Sequence, residues 1–473
     1  MNHIFKEFLN NTIATRVDRT AFVEKTTAIA SYSYEDFFQD ITIMYSILVE
    51  KEIVNKRIVF YAKNSYALIV LSFACILADN VVIPVHRDFS SNVVHEYSEY
   101  FEADFLITDA LNTPLKALYH CKLMNLLFAY SYNRSAYKIS IPSDVSHIFL
   151  SSGTMGSPKG VMHTTQSIVN AARETAYGLP NIETTLLILP LAHIYAYNAV
   201  LLPALIQGAT IYISQGASFL SDELVDFEPK ALFAVPTIVY TIHKRLLQTQ
   251  KFQETTAQVI GRNLSLILSG GALLKTSIAS SFAQYGIELF NGYGSTEACG
   301  CISLSLCPHA KNGCVGKLFP SVKAKIHNDV LWITSKNMMV GYFGVNPDEI
   351  FVDGWFCTGD LGNVENNEVF IGGRDSDCVF VLENGEKIDV GYYRKQLLTI
   401  EKVYDATVTI RDGKLSASIG TDLSDSNNAI AIRTAISELN RSFPPSGKIR
   451  DIQLRNHTRP IGVPRWKNNL SAQ

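Results

Sequence analysis

The stretch RIVFYAKNSYALIVLSFACILADNVVIPV, residues 57–85, joins two short β-branched runs through a longer apolar segment. The first run, 57–65, and the last, 80–85, have the length and composition of strands. The middle segment, 66–79, is long enough for a helix. The stretch is therefore predicted to form a strand, a helix and a second strand in succession.

The same alternation recurs further along the chain. Strands are predicted at TTLLILPL (184–191), ATIYIS (209–214), KALFAVP (230–236), LSLILSGG (264–271) and IELFNGYG (287–294). Helices are predicted between several of them, for example YNAVLLPALIQG (197–208). Alternating strands and helices are typical of doubly wound α/β folds with mostly parallel sheets. The predicted fold class is therefore α/β, with doubly wound subdomains.

The pattern changes after Thr296, where short strands separated by turn residues predict a small antiparallel β-barrel. The last hundred residues mix strands with a helix, NAIAIRTAISELN (428–440), which is typical of a compact α+β domain. The segment GGRDSD (372–377) combines glycines with charged residues, which indicates a boundary between domains. The prediction is an N-terminal domain over 1–375 and a C-terminal domain over 376–473.

Composition excludes several classes of function. A chain of 473 residues is too long for one core, so at least two domains are expected. The net charge of −3 gives no indication of nucleic acid or an acidic membrane as a partner. The first thirty residues show no secretory signal, and the longest apolar run, 67–78, is too short to span a bilayer. The sequence predicts a cytoplasmic protein without a membrane span.

Eight cysteines in a chain of this length, without a signal peptide, predict reduced thiols. Four of them are close in sequence: Cys299, Cys301, Cys307 and Cys314. Their spacing lacks the paired knuckle of structural zinc sites. Small buried residues on strands are therefore preferred over a zinc site.

The loop SSGTMGSPKG (151–160) follows a predicted strand and contains three glycines, four hydroxyl side chains and one lysine. Backbone N–H groups and hydroxyls in such a loop form a nest for an anion. The usual P-loop is excluded, because Lys159 follows a proline and precedes a glycine. The candidate phosphate-binding residues are Ser151, Ser152, Gly153, Thr154, Gly156 and Lys159.

A second glycine-rich motif, NGYGSTEA (291–298), also follows a predicted strand. Gly292 and Gly294 would let the backbone approach a flat ligand on which Tyr293 could stack. Thr296 and Glu297 would face the polar end of that ligand.

Two later motifs add a carboxylate and a guanidinium. DGWFCTGDLG (353–362) places Asp360 in a turn, able to accept from a pair of hydroxyls, and Arg374 in GGRDSD could donate to them. Taken singly, Asp360 fits a turn-forming residue, Arg374 a surface ion pair and Lys159 a solvated loop lysine.

Together, in this order, these motifs resemble the adenylate-forming (AMP-binding) superfamily. It includes acyl- and aryl-CoA synthetases, adenylation domains of peptide synthetases and firefly-type luciferases. The resemblance covers nearly the whole chain, since YSYEDF (32–37), LPLAHIYAYNA (189–199) and CVGKLFP (314–320) are similar to further family segments. It implies a large N-terminal domain with the nucleotide and acyl sites and a small, mobile C-terminal domain.

The resemblance implies that the chain uses ATP and Mg²⁺ to convert a carboxylic acid into an acyl-adenylate, releasing pyrophosphate. The acyl group then passes to the pantetheine thiol of CoA or an acyl carrier protein. Thr296 would contact the α-phosphate, Glu297 would hold Mg²⁺, and Asp360 with Arg374 would bind the ribose. The remaining nucleotide contacts would come from Gly271, Ala272, Asn291, Gly292, Tyr293, Gly294 and Ser295.

The segment around His193 helps to predict which class of carboxylic acid is the substrate. Amino-acid-activating relatives place an Asp near this position to pair with the substrate ammonium, and this segment has none. A buried ammonium without a counter-charge is costly, which favours an aryl or fatty acid. The alternative for His193 is a hydrogen-bonded core residue. The candidate acyl-binding residues are His193, Tyr197, Val235, Gly270, Gly271 and Gly294.

Two alternatives to a ligase stay open at this point. A degenerate family member would bind nucleotide or acyl group without turnover, and Met155, which stands where relatives have a hydroxyl residue, favours it. A P-loop kinase is disfavoured by the order of residues around Lys159. Products separate the three, because a ligase of this kind releases AMP and pyrophosphate rather than ADP.

The C-terminal motif generates a prediction of its own. Relatives carry a lysine near the end that reaches the α-phosphate and the acyl carboxylate; Val463 occupies its position here, and Lys467 follows four residues later. Val463→Lys should speed adenylation, and Lys467→Ala should slow it, since one preorganised cation is worth roughly 10²–10³ in rate. Thioester formation from a preformed adenylate, assayed separately, should change little. Adenylation rates unchanged in both variants would contradict a role for Lys467.

Overall fold

The computed structural model describes residues 1–108, 128–129, 139–151, 159–248, 253–272, 274, 276–306, 313–327, 329–374, 379–381, 387–411, 414–421, 426–443 and 447–456. Within these ranges the α-helices are α1 (His3–Thr12), α2 (Tyr34–Glu50), α3 (Tyr66–Leu77), α4 (Ser91–Tyr100), α5 (Thr165–Gly178), α6 (Leu202–Gln207), α7 (Leu220–Phe227), α8 (Pro236–Gln248), α9 (Gln253–Ile260), α10 (Thr276–Ala283), α11 (Val390–Thr399) and α12 (Ser426–Leu439). A π-helix spans Ala196–Leu201, and 3₁₀-helices span Ala217–Phe219 and Pro347–Glu349.

The strands of the described ranges come in two groups. Those of the first half of the chain are β1 (Thr20–Lys25), β2 (Ile29–Ser33), β3 (Arg57–Tyr61), β4 (Val81–Pro84), β5 (Phe105–Thr108), β6 (Phe128–Ala129), β7 (Val145–Ser151), β8 (Lys159–Thr164), β9 (Thr184–Leu187), β10 (Thr210–Ile213), β11 (Ala231–Ala234), β12 (Leu266–Ser269) and β13 (Glu288–Ser295). Those of the second half are β14 (Gly300–Ser305), β15 (Cys314–Leu318), β16 (Val322–His327), β17 (Val330–Ser335), β18 (Gly341–Tyr342), β19 (Phe351–Val352), β20 (Trp355–Glu365), β21 (Glu368–Arg374), β22 (Val379–Val381), β23 (Lys387–Asp389), β24 (Asp405–Arg411), β25 (Lys414–Thr421) and β26 (Ile449–Asn456).

The described strands form a first sheet of 14 strands, in the order β16-β17-β20-β21-β15-β14-β13-β12-β11-β9-β10-β1-β2, with β19 beside β20. Strands β1, β10, β9, β11, β12 and β13 run parallel, as the alternating pattern predicts. From β13 onward the pairing is antiparallel. The strands predicted as a small barrel are therefore present, and they continue the edge of the large sheet.

A second sheet has seven described strands in the order β18-β8-β7-β4-β3-β5-β6. Its centre, β7-β4-β3-β5, is parallel, whereas β8 pairs antiparallel with β7 and with β18. Toward the C-terminus, β22 pairs with β23, and β24, β25 and β26 form a small mixed sheet. That sheet and helices α11 and α12 share a separate apolar core, which is what the α+β prediction expects.

Helix α3, predicted from the opening stretch, lies within the protein. All of its residues are buried, because its sequence has no polar face. Ser65 caps its N-terminus by accepting a hydrogen bond from the Leu68 N–H at 3.1 Å. The Phe73 ring packs against Phe5 and Phe37, with centroids 5.2 and 5.3 Å apart. In the described part of the chain, no helix combines the length and the apolarity that crossing a bilayer requires.

The helix predicted over 197–208 begins differently from the prediction. Residues Ala196–Leu201 form a π-helix, and the α-helical part starts only at Leu202. Pro203 has no N–H to donate in the following turn, and single turns of π-helix occur where the regular ladder is interrupted. Gly208 ends α6 in the left-handed conformation at φ +74°.

Two buried histidines generate a prediction about acid stability. His147 and His163 face each other across β7 and β8. Burial lowers the pKa of His147 to about 3 and that of His163 to about 4. In the unfolded chain each histidine binds a proton near pH 6.5, whereas in the folded chain it stays neutral to a lower pH. The free energy of unfolding is therefore highest above pH 6.5 and decreases as the pH falls below that value. Between pH 7 and 5 the loss should be about 2 kcal/mol for each histidine.

Urea unfolding at pH 7 and 5 measures this loss. His147→Gln should reduce it by about 2 kcal/mol, provided that the variant folds at pH 7. His3→Gln, at an exposed position, should leave the loss unchanged. An equal pH dependence in the wild type and in His147→Gln would contradict the assignment.

The two glycines of β13 differ in what surrounds them, which gives a second prediction. A Cβ on Gly294 would lie 1.9 Å from the backbone oxygen of Gly300, whereas a Cβ on Gly292 would meet Leu268 at 3.4 Å, an ordinary contact. Gly294→Ala should therefore cost about 3 kcal/mol of stability or prevent folding, and Gly292→Ala should cost less than about 1 kcal/mol. Thermal unfolding of the pair tests this, and similar melting temperatures would refute it.

Candidate active site

A cavity of about 1110 Å³ opens where strands of both sheets end. The carboxyl ends of β11, β12 and β13 in the first sheet, and of β3 and β4 in the second, supply its walls. Ligands of open α/β sheets bind at this edge. The predicted site residues that line the cavity are Ser151, Lys159, His193, Val235, Gly270, Gly271, Gly292, Tyr293, Gly294, Ser295, Thr296 and Glu297.

Thr296 and Glu297, immediately after β13, are held by groups distant in sequence. The His163 Nε2–H donates to the Thr296 carbonyl at 2.8 Å, and the Met339 N–H donates to the Glu297 carbonyl at 2.8 Å. The Tyr342 hydroxyl donates to Glu297 Oε1 at 3.1 Å. His163 is neutral at pH 7, because burial lowers its pKa to about 4. Neither His163 nor Tyr342 carries a sequence signal that could have identified it.

Glu297 fits the role of a magnesium ligand. No cluster of three or more His, Cys, Asp or Glu side chains that could hold a metal occurs among the described residues. Mg²⁺ in nucleotide sites takes one or two carboxylates together with substrate phosphates and water, so such a cluster is not required. Glu297 is half-buried on the cavity wall, and the hydrogen bond from Tyr342 engages its Oε1.

The ribose-binding candidate Asp360 is buried at 6% exposure and accepts a hydrogen bond from the Tyr293 hydroxyl at 2.5 Å. Its own N–H donates to Thr358 Oγ1 at 3.0 Å. Asp360 lies within β20 and not in the predicted turn, and the described cavity lining contains its neighbours Thr358 and Gly359 but not Asp360 itself. Arg374 lies directly opposite Asp360 in the β20–β21 register. The resemblance implies that Tyr293 lies beside the nucleotide. In the structure its hydroxyl also bonds directly to the Asp360 carboxylate.

The phosphate loop is described at its two ends. Ser151 ends β7 and Lys159 begins β8, and the two residues are paired in register. Both line the cavity, and the Lys159 ammonium lies 4.7 Å from the centroid of the Tyr342 ring. Four candidates lie outside the described residues: Ser152, Gly153, Thr154 and Gly156. The same holds for Lys467 and Val463 of the C-terminal motif.

His193 borders the part of the cavity assigned to the acyl group. Its ring is open to the cavity yet surrounded by protein, and this enclosure lowers its pKa to about 4. The His86 ring lies 5.2 Å away and lines the same cavity. Tyr195, two residues after His193, donates its hydroxyl to the Leu268 carbonyl at 2.9 Å, and its ring lies 3.0 Å from where a Cβ on Gly270 would be.

Tyr197 does not belong to this wall, contrary to its assignment from sequence. It is 3% exposed and packs in the core, with its ring centroid 4.8 Å from His147 and 5.9 Å from Phe149. Tyr195 takes its place in the cavity. Ala272 and Asn291 are also absent from the described lining, although each neighbours a lining residue.

The described members of the cysteine group at 299–314 are buried or half-buried residues. Cys299 and Cys314 are buried, Cys301 is half-buried, and burial raises the pKa of the Cys301 thiol to about 12. Cys307 lies outside the described residues. Within the described residues these thiols belong to no metal-binding cluster.

Two known enzymes are similar over much of the chain. 4-Coumarate–CoA ligase 3 of Oryza sativa subsp. japonica is 28% identical over 327 residues, which cover 63% of this chain and 56% of the rice enzyme. 2-Succinylbenzoate–CoA ligase of Staphylococcus epidermidis is 26% identical over 393 residues, covering 79% of this chain and 78% of that enzyme. The match to the rice enzyme thus spans little more than half of that enzyme's length.

The architecture matches a solved structure, a double mutant of o-succinylbenzoate CoA synthetase from Bacillus subtilis bound to a product analogue. The TM-score is 0.75 at 20% identity, and 96% of each chain is covered. This likeness confirms the predicted α/β fold class. The sequence model of a protein family described as AMP-binding enzyme matches residues 9–343 of this chain. The chain therefore belongs to the AMP-binding enzyme family, as its motifs predicted.

Proposed function

We propose that this protein activates a carboxylic acid without an α-ammonium group as its acyl-adenylate and passes the acyl group to a pantetheine thiol. The thiol belongs to CoA or to an acyl carrier protein. One observation carries the proposal: a single cavity is lined by Lys159, by Thr296–Glu297 and by the His193 segment. Phosphate-binding, metal-binding and acyl-binding candidates thus share one space.

In the first half-reaction a carboxylate oxygen attacks the α-phosphorus of ATP. The bond from that phosphorus to the bridging oxygen breaks, and pyrophosphate leaves. The protein contributes mainly position and charge to such a displacement. Asp360 accepts from the ribose hydroxyls, Lys159 and Ser151 face the phosphates, and Thr296 contacts the α-phosphate. Glu297 holds Mg²⁺, which when bound neutralises phosphate charge.

In the second half-reaction the thiol sulfur attacks the acyl carbonyl, and AMP leaves as the carbon–oxygen bond breaks. The C-terminal residues Tyr392, Tyr393 and Phe443 also line the cavity, and the Tyr393 and Phe443 ring centroids lie 4.5 Å apart. This aromatic edge supports a role for the domain over 376–473 in covering the site during thiol attack. The division at 375/376 is part of the proposal.

The acyl end of the cavity supports a flat acyl group without an ammonium. Its wall contains Tyr195, Val235 and Gly270, and neither β11 nor β12 contributes a carboxylate to the described lining. The described lining also contains Asp88, which lies 3.7 Å from His86 and not beside these three residues, so an ammonium against them would lack an adjacent counter-charge. The two CoA ligases to which the chain is similar are named for 4-coumarate and 2-succinylbenzoate, which supports an aromatic acid and CoA as the thiol.

The test is carboxylate-dependent exchange of pyrophosphate into ATP, followed by detection of AMP. A panel of aromatic, fatty and amino acids, screened by trapping the adenylates with hydroxylamine, should give signals for acids without an α-ammonium. Glu297→Gln should lower the exchange rate by roughly 10²–10³, because a preorganised charge is removed. Glu288→Gln is the matched control, an exposed residue at the start of β13, the strand that precedes Glu297, and outside the cavity lining.

Four outcomes would contradict all or part of the proposal. Exchange with amino acids alone would refute the substrate class, and release of ADP would refute adenylation. ATP binding without exchange for any acid would instead support a family member without turnover. Equal activity of the Glu297→Gln and Glu288→Gln variants would remove Glu297 from the mechanism.

A further inference from the structure

Tyr342 contacts both charged groups of the phosphate end of the cavity. Its hydroxyl donates to Glu297 Oε1 at 3.1 Å, and the face of its ring lies 4.7 Å from the Lys159 ammonium. A hydrogen bond to a carboxylate and a cation over an aromatic face are both attractive contacts. Tyr342 is 8% exposed and lines the cavity beside the two residues that it contacts.

The backbone fixes Tyr342 in this position. Strand β18 pairs antiparallel with β8, and Tyr342 lies opposite Val161, two residues from Lys159. On the other side, the Met339 N–H donates to the Glu297 carbonyl at 2.8 Å. The segment 339–342 is therefore bonded both to the strand that carries Lys159 and to the turn that carries Glu297. The backbone that carries the ring cannot move away without breaking one of these attachments.

Opposite charges on one cavity wall attract each other. A direct ion pair between Lys159 and Glu297 would occupy the cation meant for phosphate and the carboxylate meant for a metal. Within the described structure the two are not bonded to each other: Lys159 lies over the ring face, and Glu297 accepts from the ring's hydroxyl. The Tyr342 side chain makes a separate contact to each of the two charges, the ring face to Lys159 and the hydroxyl to Glu297.

We infer that Tyr342 is a positioning residue that keeps Lys159 and Glu297 from pairing with each other and holds each toward the bound nucleotide. This rests on the proposed function, in which Lys159 faces phosphate and Glu297 holds Mg²⁺. The hydroxyl orients the carboxylate through one oxygen and leaves the other for the metal. The ring face keeps the ammonium beside the mouth of the phosphate loop.

The experiment is calorimetric titration of ATP into the full chain with and without Mg²⁺. Tyr342→Phe keeps the ring under Lys159 and loses the bond to Glu297. It should reduce the gain in ATP affinity that Mg²⁺ provides about tenfold, and leave the affinity without Mg²⁺ unchanged. Tyr342→Leu loses both contacts, so the affinity without Mg²⁺ should fall as well.

Tyr285→Phe is the control, since it removes a hydroxyl that donates to the Leu246 carbonyl at 3.1 Å, outside the cavity lining. It should behave as the wild type. A Mg²⁺-dependent gain in Tyr342→Phe equal to that of the wild type would overturn the inference. Equal losses with and without Mg²⁺ would also overturn it, because they would mark a structural role only.

The outcome is separable from that of the proposed function. If the wild type binds ATP in a Mg²⁺-dependent manner but exchanges no pyrophosphate, the proposed function fails. The comparison of binding between the wild type and Tyr342→Phe still decides the role of Tyr342. In an active enzyme, Tyr342→Phe should raise the Mg²⁺ concentration for half-maximal exchange about tenfold, with the rate at saturating Mg²⁺ little changed.

Discussion

A hydrogen bond from the buried His163 side chain joins the two sheets at the site. His163 belongs to β8 of the second sheet, and the Thr296 carbonyl that it contacts directly follows β13 of the first sheet. The imidazole is buried and uncharged, so it can serve as a donor there without the cost of a buried charge. The candidate metal ligand thus lies on one sheet and is held in place by the other. This bond therefore fixes part of the cavity wall between the sheets.

Much of the fold follows from local sequence patterns. Short β-branched runs and long apolar segments predicted β3, α3 and β4, because strand and helix periodicities depend on neighbouring residues only. These local patterns could not predict the order of the strands within the sheets. The pairing of β18 with β8 joins segments far apart in sequence, and it is decided by packing. The antiparallel strands after β13 were likewise recognised as strands, but their place at the edge of the large sheet was not.

The candidate site was likewise only partly predictable from the sequence. Residues in short motifs after strands, such as Lys159 and Glu297, were located from sequence, whereas the supporting His163 has no motif. The misassigned tyrosine has a geometric reason. Residues two apart on a helical turn point to roughly opposite sides of the helix. Tyr195 therefore faces the cavity while Tyr197 enters the core.

The ladder beneath the phosphate loop has a consequence for how this protein can change. Ser151 and Lys159 are paired in register, so the sheet fixes both ends of the loop whatever residues lie between them. Loop length then enters the folding free energy only logarithmically. The chain can therefore accept a change of loop length between Ser151 and Lys159 at a small cost in stability, and relatives of this fold are free to differ there in length.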